Sequence, residues 1–99
     1  MINVFYQKKK TCSNCYEYLL EVKGHANYAP IGQDIVCAAV SSLIETYTSY
    51  SQNKPQIKGN GAFFMRLNCS EEDACLDMVI HGLKEISRSY PNHVTVITF

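Results

Sequence analysis

Apolar positions along the chain switch between a period of two and a period of three to four, and the switches predict the elements. Residues 2–8, rich in β-branched and aromatic side chains, read as a strand. A turn with Thr11, Ser13 and Asn14 follows, and residues 16–23 read as the hairpin partner, ended by Gly24. Residues 25–33 carry Asn27, Pro30 and Gly32 and read as a loop. Over residues 34–50, Val36, Val40, Leu43, Tyr47 and Tyr50 recur at steps of four and three, the stripe of a helix facing a core. Residues 55–58 and 62–68 read as two short strands, joined by Gly59-Asn60-Gly61, which accept the positive φ of a tight hairpin. Ser70, with Asp73 three residues on, predicts the cap of a second helix over about 71–89. Glu71 and Glu72 would sit at the positive end of its dipole. Its buried stripe would be Leu76, Val79, Leu83, Ile86 and Tyr90, and Pro91 would stop it. Residues 94–99 form a last strand.

The order β-β-α-β-β-α-β predicts a small α/β sandwich with a mixed, mainly antiparallel sheet and two helices. Its 99 residues suit a single domain over 1–99. Hydrophobic residues at 46% argue for a packed core rather than disorder. Lys+Arg and Asp+Glu both number 9, so the basic excess of a nucleic-acid binder is missing. The one basic run, Lys8-Lys9-Lys10, reads as a solvated hairpin tip. No run approaches the length of about 18 apolar residues that a membrane helix needs. The first residues carry neither the charge nor the apolar run of a secretory signal. Hence a cytoplasmic protein is expected, with five cysteines as free thiols.

Candidate chemistry gathers in residues 24–45. At about 100° per residue, Asp34, Cys37, Ala38, Ser41, Glu45 and Thr48 fall on one stripe, opposite the apolar one. That takes Cys37 off the core face and into the first helical turn, where free N–H groups and the dipole favour an anion, hence a thiolate. The competing reading is a small filler between alanines. His25 lies twelve residues earlier, at a strand end whose loop returns to the helix start. A Cys–His pair is the minimal apparatus for acyl transfer; a surface histidine in a turn is the plain alternative. Asp34 reads first as the helix N-cap. Ser41 either contacts substrate or faces water, and Glu45 is solvated.

The stretch Gly24-His25-Ala26-Asn27-Tyr28-Ala29, then Gly32-Gln33-Asp34-Ile35-Val36-Cys37-Ala38-Ala39-Val40-Ser41, resembles the ribosomal-processing cysteine proteases, the Prp family. Their pattern is G-H-A followed by G-x-D-I-V-C-A-x-V-S. The resemblance implies Cys37 as nucleophile, His25 as base, and active-site positions for Asp34 and Ser41. It also implies a mobile loop before the catalytic helix, for which Gly24 and Gly32 would be hinges. The implied partner is the N-terminal extension of a large-subunit ribosomal protein, bound as a peptide substrate by a homodimer. No cofactor, nucleic acid or membrane is implied. One departure is Cys12-Ser13-Asn14-Cys15 in the first hairpin turn. With Cys69 and Cys75 separated by five residues, the spacing does not suit zinc, and no metal is expected. A non-enzymatic ribosome-associated module and a relative retargeted to another protein are the alternatives. The first would call for a basic face, which the charge balance does not supply.

Overall fold

The computed structural model describes residues 1–24, 29–30, 34–51, 56–58, 62–69 and 72–98, with 56–58 and 62–69 described by backbone alone. Seven elements follow the expected order: β1 (Ile2–Cys12), β2 (Cys15–Lys23), α1 (Ile35–Tyr50), β3 (Gln56–Lys58), β4 (Ala62–Cys69), α2 (Ala74–Ser89) and β5 (Val94–Thr98). They form one five-stranded sheet in the order β3-β4-β2-β1-β5. β5 runs parallel to β1, while every other neighbouring pair is antiparallel. This is the mixed, mainly antiparallel sheet expected. The 59–61 turn and the Ser70 cap lie outside the described residues.

Alternation along the two central strands explains the core. Ile2, Val4 and Tyr6 of β1 and Tyr18, Leu20 and Val22 of β2 are buried on one face of the sheet. They meet Val36, Val40 and Tyr47 of α1, Leu76, Val79, Ile80 and Leu83 of α2, and Val94. Fully burying an aliphatic side chain of this kind stabilises by about 1.5–3 kcal/mol. The helices touch closely at Gly82, where an added Cβ would stand 2.9 Å from Leu43 Cδ1.

Several boundaries and environments differ from expectation. β1 runs on to Cys12, because the turn is only Ser13-Asn14 and the ladder continues through Lys10↔Tyr16 to Cys12↔Cys15 with a bulge between. The lysine run therefore lies on the strand, where Lys9 and Lys10 are exposed as expected but Lys8 is not. Lys8 Nζ lies 2.7 Å from Glu72 Oε2 and 3.5 Å from Asp77 Oδ1, over the rings of Tyr16 and Tyr18. Cys12 and Cys15 are not free thiols but are joined as a disulfide, since cross-strand pairing brings their Cα atoms to 4.7 Å.

α2 begins at Ala74 rather than 71. Asp73 caps it by accepting from the Leu76 N–H at 3.0 Å. Glu72 thus precedes the helix and pairs with Lys8 instead of the dipole, and Asp77 is the acid of the first turn. Tyr50, expected on the apolar stripe of α1, is 77% exposed. It lies at the last turn, on the rim of the groove between the helices.

Candidate active site

Asp34 decides how α1 begins. Its Oδ1 accepts from the Val36 N–H at 3.0 Å and the Cys37 N–H at 2.9 Å, and its carbonyl accepts from the Ala38 N–H. The side chain thereby satisfies two of the donors that have no intrahelical partner, and the carbonyl accepts the first intrahelical bond. The expectation of free N–H groups around Cys37 is corrected on this point. The helix dipole remains, but the Cys37 N–H points into the Asp34 carboxylate.

Cys37 itself is outside any disulfide, half-buried and packed against the core rather than standing clear of it. The reason is geometric: it follows the buried Val36, and a residue 100° further round borders the core face. Ser41, one turn on, is exposed, as are Ala38 and Glu45, so the polar stripe is as expected.

Toward the C-terminal end of α1, Tyr47 Oη donates to Asp73 Oδ2 at 2.7 Å, and Asp73 N–H donates to Tyr18 Oη at 3.1 Å. The last turns of α1 therefore lie beside Tyr18. Gly24 directly follows Lys23, the last residue of β2. Gly24 has φ 95°, and an added Cβ would collide with the Met1 carbonyl oxygen. This position requires glycine for both reasons. His25 follows it directly, but His25 and Gly32 lie outside the described residues.

Burial raises the hydroxyl pKa of Tyr6, Tyr16 and Tyr18. The hydrogen bond from Lys8 lowers that of Glu72 and raises that of Lys8. These shifts describe a structural clamp between the hairpin and α2, not the Cys37 site.

A groove of about 760 Å³ lies between α1 and α2, lined by Leu43, Tyr47, Tyr50, Cys75, Met78 and Ile86 among others. It holds Cys75, which among the described residues is also outside any disulfide, also half-buried and also in a helical first turn. Sequence reasoning passed over this twin, although the Asp73-x-Cys75 spacing before an apolar stripe was there to be read. Among the described residues, no group of three metal-ligating side chains comes together, and no helix is long and apolar enough to cross a membrane.

Comparison with known proteins identifies the family. Residues 1–95 match the family model described as cysteine protease Prp. The ribosomal processing cysteine protease Prp of Mycoplasma genitalium is 31% identical over 93 residues, covering 84% of this chain and 90% of that protein. Among solved structures, the essential ribosomal processing protease Prp from S. aureus, in complex with a covalently linked product peptide, superposes with a TM-score of 0.80. It is 21% identical, with both chains fully covered. SMU.848 from Streptococcus mutans gives 0.69 at 21% identity, covering this chain fully and 94% of its own. At that identity the two structures speak for the fold.

Proposed function

The chain belongs to the cysteine protease Prp family, and from that premise we propose that it is an endopeptidase trimming the N-terminal extension of a large-subunit ribosomal protein. Cys37 is the nucleophile and His25 the general base. The observation that carries this reading is the Asp34-capped first turn of α1, which holds the half-buried Cys37 twelve residues after His25 in the chain.

The chemistry follows from those two side chains. His25 takes the thiol proton as Cys37 Sγ attacks the scissile carbonyl. The same proton passes to the leaving amine, the C–N bond breaks, and a thioester remains on Cys37. Water, deprotonated by His25, then releases the extension as a free acid. Because Asp34 already holds the Cys37 N–H, the oxyanion takes its donors from outside this turn. Asp34 supports the nucleophile by capping, and Ser41, exposed one turn on, contacts the peptide. Gly24 and Gly32 bracket the loop that closes over it. The protein works as a cytoplasmic homodimer, without metal or cofactor.

Cys75 supplies an internal control, because it shares both half-burial and a helical first turn with Cys37. Helix electrostatics alone would make the two comparably reactive. Pairing with His25 singles out Cys37. Brief treatment with iodoacetamide at neutral pH, followed by peptide mapping, should show Cys37 modified first and cleavage lost in step. Equal labelling of both thiols, or labelled Cys37 with cleavage intact, contradicts the assignment.

A further inference from the structure

We propose that the Cys12–Cys15 pair is a surface thiol–disulfide exchange site, whose co-reactants are small monothiols and their disulfides. The pair closes the tip of the β1–β2 hairpin, three residues apart in sequence and opposite one another in the ladder. Exchange needs access to sulfur and a stabilised leaving thiolate. Cys12 is exposed and Cys15 half-exposed, so the pair lies at the surface. Lys8, Lys9 and Lys10 lead into Cys12, with Lys9 and Lys10 exposed. Against them stand Glu72, which pairs with Lys8, and Glu17, opposite Lys9 in the ladder. A cationic approach favours the thiolate form of whichever cysteine leaves.

Opening the bond leaves the fold standing. Eight further register pairs, from Asn3↔Lys23 to Lys10↔Tyr16, hold the hairpin, and the Lys8 contacts tie it to α2.

The step balances. A thiolate RS⁻ attacks one sulfur of the pair, forming a mixed disulfide and releasing the other cysteine as thiolate. A second RS⁻ attacks the mixed disulfide and releases the remaining cysteine. The two protons of 2 RSH end on Cys12 and Cys15, two electrons enter the pair, and RSSR leaves. The reverse sequence closes the bond with RSSR as oxidant.

The test poises the full chain in glutathione buffers from fully reduced to fully oxidised, quenches with acid, alkylates and maps the peptides. The peptide carrying Cys12 and Cys15 should pass reversibly from doubly alkylated to unalkylated, with circular dichroism unchanged. A pair that opens only in denaturant, or that never closes in the most oxidising buffer, overturns the proposal. Cys12→Ser provides a second reading. Cys15 should then accumulate a glutathione mixed disulfide in oxidising buffer, with peptide cleavage and melting temperature as in the parent. A folded Cys12→Ser protein whose Cys15 stays unmodified also overturns it.

Discussion

Replacing Asp34 with alanine removes the acceptor for the Val36 and Cys37 N–H groups at a part-buried helix end. Loss of an N-cap of this kind costs about 0.5–2 kcal/mol, and a value near 1 kcal/mol is expected. In a domain of this size each 1 kcal/mol lowers the melting temperature by about 4–8 °C. Asp34→Asn keeps an oxygen for the same two donors, so its melting temperature should stay within about 3 °C of the parent. The pair also separates cap from charge. If Asp34 serves the site by holding the first turn, Asp34→Asn retains cleavage while Asp34→Ala loses stability and turnover together. Thermal unfolding by circular dichroism, run beside steady-state cleavage of an extension peptide, reads both quantities. The reasoning is refuted if Asp34→Asn melts like the parent yet cleaves as poorly as Asp34→Ala, because the carboxylate charge would then act on the chemistry itself.

Three further perturbations probe other parts of the account. His25→Ala should lower turnover by about two to four orders of magnitude, the usual size of general acid–base assistance; a rate within a few-fold of the parent would make His25 a bystander. Gly24→Ala should lower the melting temperature by roughly 10 °C, because a left-handed φ costs about 1–2 kcal/mol in any residue with a Cβ and this Cβ also meets the Met1 carbonyl; an unchanged melting point would mean that the strand end relaxes freely. For Lys8→Met the expectation is a pH-dependent deficit. Glu72 is held below its ordinary value near 4.5, so its stabilisation is present above that value and fades as pH falls through the lowered one. The gap in melting temperature between parent and Lys8→Met should therefore be present at pH 7 and shrink toward pH 3, and a gap independent of pH would remove Glu72 from the clamp.

How much of this was legible in the sequence depends on whether the signal was local. Val36, Val40 and Tyr47, and Leu76, Val79 and Leu83, declared their buried faces by spacing alone. The Asp34 cap was readable for the same reason, as a short polar side chain just ahead of an apolar stripe. Tyr50 was misplaced because periodicity cannot say where the neighbouring helix stops. The α2 start was misplaced because Ser70 was read as the cap with Asp73 as its partner, whereas Asp73 itself caps, tied to Tyr47 and Tyr18 from distant parts of the chain. The disulfide depended on the hairpin register, which a bulge near Thr11 sets and composition does not. The Cys–His assignment drew its specificity from the motif spanning residues 24–41 rather than from spacing on a helix.

The central claim is that the Cys37 thiol cleaves a ribosomal-protein extension. Its most direct test is to incubate the purified large-subunit ribosomal protein, carrying its own N-terminal extension, with the parent and with Cys37→Ala, and to follow intact mass over time. The account predicts loss of the extension as a single discrete fragment with the parent, and an uncut substrate that co-purifies with a fully folded Cys37→Ala protein. Cleavage by Cys37→Ala at the parental rate would contradict it.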